Sequence, residues 1–166
     1  MKPPSIPLDK ILALGEPCLR TTIPASYADA NGHMNMRWYV ALYDEAGDQL
    51  HIRLGLPPIW HQQNVTGTMD LEHHTHFISE VMPGDQVAVY VRMAGCSPKR
   101  IQYLMFMVNE TRGKLASIFE CVNGLVDLKI RKTMAYPPEI AAIIEKAVAA
   151  HASLDWEAPV CRAMKA

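Results

Sequence analysis

Tyr39, Leu42, Tyr43, Ala46, Leu50 and Leu54 recur at steps of three and four residues, which lays one apolar stripe along a helix of about five turns. Asn35 is placed to cap that helix, and Gly55 with Pro57-Pro58 ends it. After it the period changes to two. Val65, Met69, Leu71 and Phe77 alternate with Thr66, Thr68, Asp70, Glu72, His74 and His76, as in a half-buried strand. Met82-Pro83-Gly84-Asp85 is a turn, Val87, Val89, Val91 and Met93 mark a second strand, and Gly95 to Pro98 breaks it. Ile101 to Val108 is nearly all apolar, as a central strand is, and the polar loop 109–114 leads into a long strand from Leu115 to Lys129 with Gly124 as a bulge or bend. Strands joined by loops this short are antiparallel neighbours. A stripe as long as that of 39–54 has to be buried, and the face of this sheet is the surface available for it. The expected class is α+β, a curved antiparallel sheet around one long helix.

Cys18 to Ile23 reads as a further strand, and Pro137-Pro138 opens a second helix with Ile140, Ile143, Ile144, Ala147 and Val148 on one face. The prolines of residues 1–12 suggest a surface arm, 13–151 the folded domain, and 152–166 a loose tail. With 166 residues, 49% of them hydrophobic, the chain buries a core without disulfides or a structural metal. Cys18, Cys96, Cys121 and Cys161 are scattered, with no close pair, which fits reduced thiols in the cytoplasm. No run approaches the roughly 18 apolar residues of a membrane span, and the first ten residues do not read as a secretory signal. A formal charge of −1 argues against nucleic acid as the partner.

The chemistry concentrates in one loop, Asp29-Ala30-Asn31-Gly32-His33-Met34-Asn35, which runs straight into the long helix. The helix presents unpaired N–H groups and a positive partial charge to whatever occupies the loop. A carboxylate facing such a terminus suits acyl transfer: amides near Asn35 and Met36 hold a carbonyl oxygen as it gains charge, and Asp29 attacks the carbon or deprotonates a water. The structural alternative is that Asp29 and Asn35 only close the turn and cap the helix.

This loop resembles the D-x-x-G-H-x-N signature of hotdog-fold acyl-CoA thioesterases of the 4-hydroxybenzoyl-CoA thioesterase type, and the aromatic pair Trp38-Tyr39 extends the match. Phe77 to Val91, with its F-x-x-E-V-x-P-G-D-x-V-x-V pattern, is similar to the second and third strands of that family. Tyr27 departs from it, since many relatives carry an acid there, and so do Met34 and Met36. The resemblance implies a hotdog fold, Asp29 as nucleophile or general base, Asn35 shaping the pocket, and His33 in contact with the water or the carbonyl oxygen, or simply fixing the loop. It also implies an acyl-CoA substrate, no metal or redox cofactor, and a homodimer or homotetramer with sites between subunits. The stretch from Pro83 to Glu139 further resembles thioesterases of carnitine breakdown, which implies a small acyl group with a trimethylammonium, betainyl-CoA being the candidate. Trp38 in the first helical turn would then offer its ring to the cation, with Glu72 completing the site. A hotdog module that binds acyl-CoA or an acyl carrier without hydrolysing it is the alternative.

Glu72, His74 and His76 share one face of a strand, so a metal site is conceivable there, but closing a tetrahedron needs ligands from elsewhere. In the hotdog comparison Glu72 and His74 instead line the acyl pocket near a partner's helix. Lys99, Arg100, Arg131 and Lys132 form two basic pairs at strand ends, either solvated or holding the phosphates of coenzyme A. Cys121 adjoins no evident base and reads as a buried thiol, and Met105 and Met107 as core filler.

Overall fold

The computed structural model describes residues 5–166. In chain order the elements are α1 (Leu8–Leu12), β1 (Leu19–Thr22), a short 3-10 turn (Ala25–Tyr27), α2 (Met36–Arg53), α3 (Pro58–Asn64), β2 (Thr66–Phe77), β3 (Gln86–Cys96), β4 (Arg100–Asn109), β5 (Lys114–Asp127), β6 (Lys132–Thr133) and α4 (Pro138–Ala152). The six strands form one sheet in the order β1-β3-β4-β5-β2, with β6 beside β5. β1 runs antiparallel to β3 with Leu19 opposite Val89. The hairpin loops make β3, β4 and β5 antiparallel. β2 runs against β5 in the same sense, Val65 accepting from Leu128 N–H at one end and Ile78 donating to Ala116 at the other.

The chain divides into two compact units, one made of the residues up to Gln49 with Thr75–Val91 and Met105–Phe119, the other of Leu50–His74, Arg92–Leu104 and Glu120–Ala166. In the first, α2 lays its stripe on the sheet as the periodicity requires. Tyr39, Leu42, Tyr43 and Ala46 are buried. The Tyr43 hydroxyl and Ser117 Oγ lie 2.6 Å apart in a hydrogen bond, and the Tyr43 ring stacks on Phe119 with centroids 4.8 Å apart. Burying a polar tip needs that partner. The Pro83-Gly84-Asp85 turn is closed from inside: Asp85 Oδ2 accepts from Met82 N–H at 2.9 Å, Asn109 Nδ2 at 2.7 Å and Arg112 Nε at 2.8 Å. Gly84 sits at φ 86°, which a side chain would strain.

The second unit corrects several expectations. Residues 152–166 are not loose. Met164 is buried, Cys161 N–H donates to Glu120 Oε2 at 2.7 Å, and the Arg92 guanidinium lies 4.0 Å over the Trp156 ring while donating to the Trp156 carbonyl at 2.9 Å. Buried Arg92 and Glu120 thus hold the returning chain by charge-assisted bonds. Helix α3 was not expected, and β3 continues through Gly95 to Cys96. At Gly124 space is restricted. A Cβ there would meet Leu71 at 3.2 Å, Thr133 at 3.3 Å and the Lys99 carbonyl at 3.4 Å. Strand β2 is less buried than its alternation predicts, with Met69 and Leu71 exposed. In the first unit the arm reading changes: residues 8–12 form helix α1, with Ile11 fully buried, and 1–4 lie outside the described residues.

Candidate active site

The loop ahead of α2 is built by backbone bonds from both its flanks. Asn35 N–H donates to the Tyr27 carbonyl at 2.9 Å, Ala28 pairs with Met34 as an isolated bridge, and Met34 N–H donates to the Val81 carbonyl at 2.8 Å. Inside that frame Asp29 and Gly32–His33 close a tight turn. Asp29 N–H donates to His33 O and Gly32 N–H to Asp29 O, both at 3.0 Å, with Gly32 at φ 84°. The two Asp29 oxygens differ in their tasks. Oδ1 accepts from Asn31 N–H at 2.8 Å, an Asx turn that meets the structural reading of this residue. Oδ2 takes no part in the turn and lies 3.8 Å from His33 Nδ1. The same Nδ1 is 3.3 Å from the Met34 carbonyl, so a proton there donates to that oxygen and leaves Nε2 as an acceptor.

The helix head is capped as its sequence predicts. Asn35 Oδ1 accepts from Arg37 N–H at 3.1 Å and the Asn35 carbonyl accepts from Trp38 N–H at 3.0 Å. The Met36 amide is the first-turn donor these caps leave unclaimed. Tyr27 replaces a family acid with an aromatic clamp: its ring stacks on Trp38 at 3.7 Å with the planes 1° apart, tying the start of the loop to the first turn of α2. Arg37 adds its guanidinium 4.9 Å from the Trp38 centroid.

Beside the loop opens a cavity of about 280 Å³, lined by His33, Met34, Met36 and Tyr39 on one side of the chain and by Phe77, Ile78, Ser79 and Glu80 on the other. Its surface is mainly apolar, with few polar groups, as in small-molecule sites. The Tyr39 and Phe77 rings meet edge to face with centroids 5.1 Å apart. Burial pushes the Tyr39 phenol up, and the Glu80 charge adds to that rise.

The predicted residues divide accordingly. His33 and Met36 line the cavity. Asp29 adjoins it through His33, and Asn35 acts as the helix cap. Trp38 is not a lining residue, because its ring is committed to Tyr27 and Arg37. Glu72 and His74 are exposed on β2 and do not line the cavity either. Among the described residues no three His, Cys, Asp or Glu side chains converge as a metal site would require. Lys99, Arg100, Arg131 and Lys132 are exposed, and Gly124 brings the two pairs into one neighbourhood by admitting both the Lys99 carbonyl and Thr133. Ser79 and Glu80 received no role from the sequence. Their only signal was Glu80's place three residues after Phe77, in a segment read as strand and turn.

Comparison with known proteins fits this arrangement. Residues 23–144 match the thioesterase-like superfamily. The betainyl-CoA thioesterase of Pseudomonas aeruginosa is 25% identical over 134 residues, 81% of this chain and 84% of that protein. The L-carnitine dehydrogenase/betainyl-CoA thioesterase of Agrobacterium fabrum is 27% identical over 123 residues, 74% of this chain, and the match spans only 25% of that longer protein. A Staphylococcus aureus protein solved in complex with CoA shares the fold, with a TM-score of 0.77, 22% identity, and coverage of 84% of this chain and 87% of the other. No helix among the described residues is long and apolar enough to cross a membrane. The fold is the hotdog expected from the loop and the element order. Because the family match runs unbroken from Ile23 through the Asp29 loop, α2, the Pro83-Gly84-Asp85 turn and strands β2 to β5, this chain belongs to the thioesterase-like superfamily.

Proposed function

We propose that the protein hydrolyses a small acyl-CoA to the free acid and CoA, with Asp29 as base or nucleophile and the N-terminus of α2 as the oxyanion hole. The observation that carries this reading is the conjunction at one cavity of an unclaimed helix-head amide at Met36 with the Asp29–His33 pair. The Met36 N–H, at the positive end of the helix dipole, takes the thioester oxygen as negative charge develops on it. As a base, Asp29 Oδ2 removes a proton from water while the water oxygen bonds to the carbonyl carbon; the C–S bond then breaks and the thiolate takes up a proton. As a nucleophile, Oδ2 bonds to the carbonyl carbon, the C–S bond breaks and the departing CoA thiolate takes up a proton from solvent. The anhydride left behind is then cleaved by water to the free acid and the Asp29 carboxylate. In either route His33 Nε2 accepts a hydrogen bond from the water. Asn35 keeps the helix head in place. The basic residues Lys99, Arg100, Arg131 and Lys132 are the candidates for the CoA phosphates.

The cavity of about 280 Å³ favours a short acyl group, and the relatives' names make betainyl-CoA the first to try. No metal or redox cofactor takes part in this chemistry. Thiol release measured over a panel of acyl-CoA thioesters, in the presence of EDTA, should show turnover of short acyl groups undiminished by the chelator. Binding without thiol release would identify a non-hydrolytic acyl-CoA module instead.

The active unit is a homo-oligomer assembled through β2. Twelve residues long and last in the sheet order, β2 leaves Met69 and Phe77 exposed, and an edge of that kind is an aggregation hazard unless covered. Sedimentation at assay concentrations should give twice or four times the mass of one chain. A monomer that still turns over would rule out shared sites.

A further inference from the structure

The cavity beside the Asp29 loop is lined by His33 and Met36 of the loop and helix head and also by Tyr39, Phe77 and Glu80, of which Glu80 acts electrostatically on the Tyr39 phenol. Tyr39 and Phe77 form an edge-to-face pair. Glu80 is the one carboxylate of the lining, and among the described residues it makes no ion pair. Glu80 is exposed to solvent beside the half-exposed Phe77 ring, so it needs no counter-charge for stability, and its negative charge disfavours anionic occupants of the cavity.

We propose that Glu80, with the rings of Tyr39 and Phe77, is the subsite that selects an acyl group carrying a fixed positive charge, a quaternary ammonium above all. The inference rests on the acyl-CoA reading of the same cavity and assigns its selectivity to residues that the sequence left without a role. A quaternary ammonium donates no hydrogen bond, so what holds it is the negative face of aromatic rings together with a nearby anion. The exposed Glu80 carboxylate adds a solvent-screened attraction for that cation to the ring contacts. A neutral group of the same shape gains the ring contacts but not the attraction to the Glu80 carboxylate. An anionic acyl group is repelled. Trp38 does not serve here, since the ring already stacks on Tyr27 and carries the Arg37 cation, which repels a second positive charge.

Two CoA thioethers separate the charge from the shape and do not depend on turnover: one bearing a trimethylammonioethyl group on sulfur, the other its carbon isostere, 3,3-dimethylbutyl. By calorimetry the full-length protein should bind the cationic compound about tenfold more tightly than the neutral one. Glu80→Gln should abolish that preference. The ratio of kcat/KM for betainyl-CoA to that for 3,3-dimethylbutanoyl-CoA should fall by about the same factor. Equal affinity of the wild-type protein for the two thioethers overturns the proposal. So does a Glu80→Gln variant that keeps the preference, or that loses affinity for both compounds alike. A cation preference without thiol release from any thioester would sink the hydrolytic reading and leave the subsite standing, whereas hydrolysis without a cation preference does the opposite.

Discussion

Asp29→Asn lowers kcat by on the order of a hundredfold or more and leaves the melting temperature close to that of the parent. The two halves of that expectation come from the two oxygens. Asn retains a carbonyl oxygen at the position of Oδ1, so the Asn31 N–H keeps its acceptor and the turn its geometry. The bonds that hold the loop to the rest of the unit, from Asn35 to Tyr27 and from Met34 to Val81, are all backbone and do not involve the substituted atoms. What is lost is the negative charge of Oδ2, the oxygen beside His33 that the turn does not use. An amide there neither takes a proton from water nor attacks a carbonyl. Rapid-mixing or steady-state thiol release, alongside thermal unfolding, reads both halves. Near-normal turnover in a folded variant would take Asp29 out of the mechanism and return it to turn-forming alone.

Asp85→Ala has the largest expected effect on stability, a loss of about 3 kcal/mol and a fall in Tm of roughly 6–12 °C. Asp85 is 4% exposed, and its carboxylate accepts from Met82 N–H, Asn109 Nδ2 and Arg112 Nε. Removing it strands at least two donors inside the turn, since the half-exposed Arg112 alone can turn to water. Burial pushes the Asp85 carboxyl up, but the bonds from Met82, Arg112 and Asn109 outweigh it and hold the group below the usual carboxylate range. The sign of the pH effect follows. The folded state binds this proton less readily than the unfolded chain, so the contribution to stability is complete above the ordinary carboxylate pKa. It drains away as pH falls through the folded value. Chemical denaturation from neutral pH down into the acid range should show wild-type stability declining below about pH 4, and a flatter decline in Asp85→Ala. Equal acid sensitivity of the two proteins would show that other carboxylates dominate.

Both residues stand in turns whose chemistry is local, and local chemistry is what the amino-acid order reveals. Asp, Gly and Asn at 29, 32 and 35 form an Asx turn, a positive φ and a helix cap through atoms at most three residues apart. The stripe of α2 and the alternation in β3 to β5 are legible for the same reason: burial on one face imposes a period that neighbouring residues display. The hotdog arrangement follows, because one long helix and a run of hairpin-linked strands have few other ways to cover each other.

The remainder depended on contacts between distant residues. Helix α3 buries none of its seven residues, so it carries no apolar period to betray it. The tail reads as loose because its anchors, Arg92 and Glu120, lie on strands some tens of residues away, and a polar residue facing out of a strand looks the same whether water or a returning chain meets it. Trp38, exposed to a ligand by its place in the sequence, is taken up by Tyr27 eleven positions earlier, a pairing that only the closure of the loop creates. Glu80 stands in a short link between two recognisable elements, where spacing carries no information about facing. Only the path of that link past the Tyr39 face of α2 turns a connecting residue into the wall of the cavity.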